Sequence, residues 1–168
     1  MFISKLRASW QKSNSLLCVG LDPDLSKIPA SIKSVKNSIF EFNKAIIDAT
    51  VDLVCAFKPQ IAYFSAQGAE DQLLQTVEYI RAKSPQVMIL LDAKRNDIGS
   101  TAEMYATETY DRYGVDAVTV SPYLGEDSLE PFLKRKDKGV IILCRTSNPG
   151  AGDLQDLDCN GKKLYEVV

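Results

Sequence analysis

The sequence predicts a single α/β domain in which strands and helices alternate along the chain. Short apolar runs have the length of strands buried on both faces, and helical periodicities lie between them. No linker or low-complexity stretch divides residues 1–168, so we expect one domain. The strand-like runs cover residues 16–21, 51–57, 87–92, 116–121 and 139–144.

The helices are predicted from apolar residues that recur at spacings of three and four. One stripe lies between the first two strands, and a second stripe precedes the third strand. Further helices are expected from about Ser100 to Tyr113 and from about Asp127 to Lys134. Because Pro131 lies within the second of these segments, the sequence does not define where that helix begins. The two stripes consist of Val35, Ile39, Phe42, Ile46 and Ala49, and of Leu73, Val77 and Ile80.

Alternation of this kind requires right-handed crossovers and a parallel sheet. An open doubly wound sheet and a (β/α)8 barrel both satisfy it. A complete barrel takes ~250 residues, and five of its eight units would take roughly 156, close to the 168 residues present. The last residues, KLYEVV, have the pattern of a helix that has just begun. A barrel would therefore be cut short here, and its two open sheet edges would make the chain poorly soluble.

Composition excludes several classes of protein. Twenty basic and twenty-two acidic residues give a net charge of −2, which argues against nucleic-acid binding. No apolar run reaches the ~20 residues of a membrane span and no signal peptide is evident, so a cytoplasmic location is expected. The four cysteines are expected to be buried, reduced thiols. Because the chain has no histidine, acid-base chemistry falls to lysines and carboxylates, and most zinc sites are excluded.

Polar residues stand where each predicted strand ends. The carboxyl ends of parallel strands share one rim, which is where barrels and doubly wound folds place their active sites. Any one of these residues, Asp22 or Ser121 above all, is explained as a helix cap or a solvated loop residue. Their recurrence at five strand ends favours a site. They are Asp22, Lys58, Asp92 with Lys94, Ser121, and Arg145 with Thr146 and Ser147.

The segment LLDAKRNDIGSTAEMYA carries the strongest signal. Asp92 ends the apolar strand, Lys94 follows two residues later on the same face, and Asp97 precedes the next helix. Together with Lys58 they form an alternating array of charges. Each ~4 Å contact is worth about 4 kcal/mol at an effective dielectric near 20, which should hold a lysine in its charged form as a proton donor. Spacing alone fits a structural network of salt bridges equally well.

Several motifs together resemble the orotidine 5'-phosphate decarboxylase family, in its bacterial form with the longer chain. They are VGLDPD, FKPQ, DAKRNDIGST, SPYLGEDSLEPFL and TSNPGAG, and the resemblance spans essentially all 168 residues. The DxKxxD core is shared with a wider decarboxylase suprafamily, whereas VGLDPD and TSNPG make the match specific. The resemblance implies a (β/α)8 TIM barrel, of which this chain holds about the first five βα units. It also implies conversion of orotidine 5'-phosphate to UMP and carbon dioxide in de novo pyrimidine biosynthesis, without a metal or an organic cofactor.

The resemblance assigns catalytic roles by motif. Lys94 would protonate C6 of the pyrimidine, and Asp92 would face the carboxylate that departs. Lys58 and Asp97 would complete the charge array. A fixed cation beside C6 lowers the energy of the negative charge that develops there, at no cost in reorganisation during the reaction.

The resemblance also assigns binding roles and a partner. Asp22 and Lys58 would contact ribose hydroxyls of the nucleotide substrate, and Ser147 would hydrogen-bond the pyrimidine ring. Asp97 and Thr101 would reach in from the other subunit of a homodimer with shared active sites.

One part of the family's site is expected to be missing. The family grips the substrate phosphate with a loop and an arginine from the last barrel units, matching barrel phosphate sites after strands seven and eight. Since binding energy from a remote phosphate stabilises the transition state, we expect the 168-residue chain alone to be inactive. The alternatives are a magnesium-dependent sugar-phosphate decarboxylase or aldolase of the same suprafamily, such as a 3-keto-gulonate-phosphate decarboxylase or a hexulose-phosphate synthase, and a non-catalytic binding protein that keeps the barrel fold.

Overall fold

The computed structural model describes residues 1–168, and its main sheet has five parallel strands. The strands are β1 Cys18–Leu21, β2 Ala56–Pro59, β3 Met88–Arg95, β4 Ala117–Val120 and β5 Gly139–Ile142. They lie side by side in chain order, each parallel to its neighbour. A doubly wound sheet reverses its strand order at a switch point, whereas a barrel adds strands in one direction. The sheet is therefore the first five strands of a barrel, and the predicted α/β class is confirmed.

At least one helix lies between each strand and the next. The helices are α1 Phe2–Ser13, α2 Ala30–Lys33, α3 Ser38–Thr50, α4 Ile61–Ser65, α5 Glu70–Lys83, α6 Gly99–Thr107, α7 Glu126–Leu133, α8 Gly152–Gln155 and α9 Leu164–Val167. A π-helical turn, Glu108–Arg112, continues α6, and a 3-10 turn, Pro149–Ala151, precedes α8. None of the helices is both long enough and apolar enough to cross a bilayer.

A short antiparallel hairpin, absent from the predicted elements, precedes α9. It pairs β6 Asp158–Cys159 with β7 Lys162–Lys163. Its two turn residues, Asn160 and Gly161, both have positive φ, at 57° and 86°. Two-residue hairpin turns of type I′ need positive φ at both positions, which Asn-Gly tolerates best.

The main hydrophobic core packs the central strands against the helices. Phe57 of β2, Ile89 of β3 and Val118 of β4 are fully buried. Leu73 and Ile80 of α5 are equally inaccessible and belong to the same cluster. Burying a side chain of this size contributes about 1.5–3 kcal/mol, so α5 is held to the sheet by its apolar stripe.

Helix α1 covers a second, smaller cluster and was not predicted. Phe2, Leu6 and Trp10 recur every four residues and pack against the buried cluster of Cys55, Ala56 and Met88. A methyl group added at Gly139 would lie 2.6 Å from the ring of Phe2. Glycine at the start of β5 therefore lets the helix approach the sheet.

Several predicted boundaries are wrong, and those at the start of α3 and of β2 have a clear local cause. Helix α3 begins at Ser38, after Asn37 adopts a left-handed backbone with φ 57°, so Val35 lies outside the helix and is 45% exposed. The second strand begins at Ala56, because residues 51–53 form the turn after α3. An apolar run fits a helix end as well as it fits a strand.

The cysteines are free thiols, as expected, but only Cys55 is buried. Cys18 lies on the edge strand β1 and is exposed, as is Cys144, which follows the other edge strand. Cys159, on the hairpin, is partly exposed. The expectation of burial fails for these three because the apolar runs that contain or adjoin them are at the open edges or outside the main sheet.

Candidate active site

Charged side chains meet at the carboxyl ends of the central strands. Lys58 is the third residue of β2, and Asp92 and Lys94 belong to the last half of β3. Gln60, directly after β2, forms a parallel bridge with Asp92, so the two strands stay adjacent at this rim. The interior of the strands is apolar, and ionic side chains emerge only where the strands end.

The carboxylate of Asp92 lies between two ammonium groups. Its Oδ1 is 2.6 Å from Nζ of Lys94, and its Oδ2 is 3.0 Å from Nζ of Lys58. The Asp92 side chain is 11% exposed, against 33% for Lys58 and 49% for Lys94. The structure thus brings three of the predicted site residues together, and we call them the charged cluster.

The charge on Asp92 is stabilised by its neighbours. Burial alone would raise the pKa of the carboxyl group, but hydrogen bonds from Lys94, Lys58 and Thr119 and the charge of Lys58 outweigh it, so the pKa lies below its ordinary value. The group is therefore ionised at neutral pH. With one carboxylate and two ammonium groups, the charged cluster has a net charge of about +1 and offers cations to an anionic ligand.

Thr119 is a site residue that the sequence reasoning missed. Its Oγ1 lies 3.0 Å from Asp92 Oδ1 and 3.0 Å from the backbone nitrogens of both Ala93 and Lys94. The residue is only 7% exposed. In the sequence it is a β-branched residue inside an apolar strand, and a hydroxyl within the run DAVTVS is the one available signal.

The backbone conformation that places Lys94 beside Asp92 differs from the predicted one. Regular strand alternation was expected to place both side chains on one face. Instead, Lys94 has a left-handed backbone with φ 46°, which is uncommon for a residue other than glycine. The contact with Asp92 is still made, through a bent strand end instead of an extended one.

The remaining predicted residues lie on the same rim but outside the charged cluster. Asp22 follows β1 and is exposed, and Ser147 is exposed in the loop after β5. Asp97 accepts a hydrogen bond from the backbone nitrogen of Ile98 at 2.8 Å and forms no ion pair within the chain. Thr101 is exposed in the first turn of α6. None of these four hydrogen-bonds to the charged cluster.

Arg95, next to Lys94, is anchored away from the charged cluster. Its Nη2 lies 2.6 Å from Oε2 of Glu108, and its guanidinium carbon is 4.3 Å from the centroid of the Tyr105 ring. These contacts hold the end of β3 against α6 and the π-helical turn, so Arg95 is not one of the cations that contact Asp92.

The loop after β5 is tied to α8. The backbone nitrogen of Thr146 donates to Gln155 Oε1 at 2.8 Å, and Nη2 of Arg145 lies 3.0 Å from Oδ2 of Asp156. These bonds hold the loop that carries Ser147. A cavity of about 540 Å³ opens beside it at the ends of β3, β4 and β5, lined in part by Asn96, Ser121, Tyr123, Thr146 and Tyr165.

Comparison with solved structures supports the barrel segment. The structure matches OMP decarboxylase from Leishmania donovani with a TM-score of 0.85 and 37% sequence identity, covering 99% of this chain and 62% of that one. It matches UMP synthase from the same organism with a TM-score of 0.85 and 38% identity, covering 99% of this chain and 35% of that one. The five strands are thus part of a larger fold in both.

Comparison of sequences gives the family. Orotidine 5'-phosphate decarboxylases from Dechloromonas aromatica and Ralstonia nicotianae are 62% and 60% identical to this chain over 167 residues. The match covers 99% of this chain and 62% of each relative, so the chain spans less than two thirds of their length. A family model described as orotidine 5'-phosphate decarboxylase / HUMPS family matches residues 15–168. The chain therefore belongs to the orotidine 5'-phosphate decarboxylase / HUMPS family.

Proposed function

We propose that this chain carries the charge-bearing part of an orotidine 5'-phosphate decarboxylase active site. The observation that carries the proposal is the charged cluster at the carboxyl ends of β2 and β3, where Asp92 is bound by both Lys58 and Lys94. Relatives at 60% identity or more bear the name of this activity. The reaction converts orotidine 5'-phosphate to UMP and carbon dioxide, in pyrimidine biosynthesis and in the cytoplasm.

In the proposed reaction the bond between C6 and the substrate carboxylate breaks, and the electron pair stays on C6. Carbon dioxide leaves, and an N–H proton of Lys94 passes to C6; solvent then reprotonates the amine. The ammonium group is already fixed by Asp92 at 2.6 Å, so it stabilises the developing charge without reorganising. Its 49% exposed side chain leaves the group open to a ligand on the rim.

Substrate binding would draw on residues around the charged cluster. Lys58 and Asp22 would contact the ribose, and Ser147 would contact the pyrimidine ring. All three follow or end strands on the same rim. The cavity beside the loop of Ser147 offers room on that rim for part of a nucleotide.

A homodimer would complete the site with Asp97 and Thr101 of a second subunit. In support of this part of the proposal, Thr101 is exposed and Asp97 has no ion-pair partner in its own chain. Apolar side chains flank both residues, since Ile98 is 58% exposed and Met104 is 61% exposed. Exposed apolar side chains at the start of α6 and within it suit an interface between subunits.

The test is an assay of two proteins. One is the 168-residue chain, which we expect to be inactive because it covers 62% of the relative and the resemblance assigns phosphate binding to the last barrel units. The other, called the chimera below, is residues 1–168 followed by the C-terminal residues of the Dechloromonas aromatica relative that lie beyond the match. We expect the chimera to decarboxylate orotidine 5'-phosphate, seen as loss of its ultraviolet absorbance. A folded chimera without turnover would overturn the proposed function. Robust turnover by the 168-residue chain would show that the phosphate-binding residues of the family are not required for activity.

The magnesium-dependent alternative requires oxygen ligands that are free to bind a hard cation. Both carboxylate oxygens of Asp92 instead contact ammonium groups, so a divalent cation there would displace a lysine and meet positive charge. We expect the chimera to keep its activity in EDTA. Activity that disappears with EDTA and returns with Mg²⁺ would favour the alternative.

A further inference from the structure

The strand end that carries Asp92 and Lys94 departs from regular pairing with β4. Leu91 pairs with Val118, and the next pair is Arg95 with Val120. Three residues of β3, numbers 92 to 94, therefore stand opposite a single residue of β4, which is Thr119. A bulge of this kind bends the strand and takes the extra residues out of the ladder, so other groups must fix their geometry.

The hydroxyl of Thr119 supplies three hydrogen bonds at this bulge. Oγ1 accepts from the backbone nitrogens of Ala93 and Lys94, each at 3.0 Å. It donates to Oδ1 of Asp92, also at 3.0 Å. A hydroxyl has one donor and two acceptor positions, so all of its capacity is used within the bulge. Because Thr119 is 7% exposed, water competes little for these positions.

We infer that Thr119 is a positioning residue, which holds the backbone of Lys94 in its left-handed conformation and orients the carboxylate of Asp92 toward the two lysines. Its catalytic consequence rests on the proposed function, since Thr119 acts through Asp92 and Lys94 and not on the substrate. Its structural part stands on the bulge and the three hydrogen bonds.

The choice of threonine over valine at this position supports the inference. Valine has nearly the same shape and an equally good strand propensity, so packing between β3 and β5 does not demand a hydroxyl. Burying a hydroxyl costs free energy unless it is hydrogen-bonded, and here the partners are the two amides and the carboxylate of the bulge.

The test uses the 168-residue chain and the variants Thr119→Val and Thr119→Ser. Carbon-13 NMR follows the titration of the Asp92 carboxyl group, and hydrogen exchange follows the amides of Ala93 and Lys94. In Thr119→Val the pKa of Asp92 should rise, because one of the donors that lowers it is lost. Both amides should exchange at least about tenfold faster, since they lose their acceptor. Thr119→Ser restores the hydroxyl and should return both readouts toward the parent values.

Thr109→Val is the matched control. Thr109 is fully buried, and its Oγ1 has no hydrogen-bond partner, so the same substitution there should leave the Asp92 titration and the two amides unchanged. Should Thr119→Val fail to fold, Thr119→Cys takes its place, since a thiol replaces the hydroxyl with a group that hydrogen-bonds only weakly. An Asp92 titration and amide exchange that match the parent in the folded variant would overturn the inference.

Turnover provides a further readout in the chimera. Thr119→Val should lower kcat about tenfold or more while KM changes less than about twofold, because Thr119 does not touch the substrate. An equal loss in Thr119→Ser would count against the role of the hydroxyl. The NMR and exchange measurements need no activity, so a failure of the proposed function and a failure of this inference are separate results.

Discussion

Replacing Asp92 with asparagine tests whether the charged cluster stabilises the fold through the carboxylate. Asn keeps one acceptor oxygen but turns an N–H₂ group toward the other lysine, so one of the contacts at 2.6 and 3.0 Å becomes repulsive. A hydrogen bond to a charged group contributes about 1.5–3 kcal/mol, and solvent screening at the partly exposed lysines reduces that figure. We expect Asp92→Asn to lower the free energy of unfolding by about 2–4 kcal/mol at pH 7, or Tm by roughly 5–15 °C.

The pH dependence of this loss has a definite sign. Since the folded-state pKa of Asp92 is lowered, its contribution is present above the unfolded value near pH 4 and is lost as pH falls through the folded pKa. Urea unfolding of the parent and of Asp92→Asn should therefore differ most near neutral pH and converge in acid. A difference that stays constant from pH 7 down to about pH 2 would refute the reasoning.

Asp48→Asn is the matched control for this experiment. Asp48 also pairs with a lysine and a hydroxyl, since Oδ1 lies 2.7 Å from Nζ of Lys83 and 2.6 Å from the Tyr79 hydroxyl. The Asp48 side chain is 40% exposed, so solvent replaces the lost contacts more readily. Its substitution should destabilise the chain less than Asp92→Asn does, and an equal loss would mean that burial of the charged cluster contributes nothing.

The remaining predictions concern the proposed acid, the open sheet edge and the cysteines. Lys94→Ala in the chimera should abolish turnover and leave the circular dichroism spectrum unchanged; retained turnover would remove Lys94 as the acid. Ile142 lies on edge strand β5 and is 41% exposed, so Ile142→Lys should reduce the aggregation of the 168-residue chain measured by light scattering. Unchanged aggregation would show that the chain does not associate through this edge. A thiol reagent should label the exposed Cys144 in the native chain and the buried Cys55 only after unfolding, and equal rates would contradict the packing of α1 over Cys55.

The strands could be predicted from their continuous apolar runs, and α3 and α5 could be predicted because their apolar residues recur at a helical period. Leu73, Val77 and Ile80 are 0%, 3% and 0% exposed on α5, as the stripe indicates. Val35 has the same spacing from Ile39, but the left-handed backbone of Asn37 separates it from α3. Spacing records which residues would share a face if the helix continued, and it does not record where the helix begins.

Two features of the site could not be predicted because they depend on pairing between strands. The positive φ of Lys94 follows from the bulge against β4, and no motif within residues 92–95 requires it. Thr119 lies 27 residues after Asp92 in the sequence and makes its contacts only once the strands are in register. Charge and strand position were enough to select Lys58, Asp92 and Lys94, since ionic side chains at strand ends are visible in the sequence.

The charge balance of the cluster relates the structure to the proposed chemistry. Two ammonium groups facing one carboxylate leave about one unbalanced positive charge at the rim. The carboxylate of orotidine 5'-phosphate would supply the missing negative charge on binding, and departure of neutral carbon dioxide would leave that charge on C6. Because Lys94 is held on Asp92 throughout, the same cation faces the charge before and after the bond breaks, until its proton neutralises the carbanion. In the proposed homodimer, Asp97 of the partner subunit would bring a second carboxylate to the cluster. Subunit association would then change the charge that an anionic nucleotide meets, so the proposed dimer also predicts that nucleotide binding and subunit association are linked.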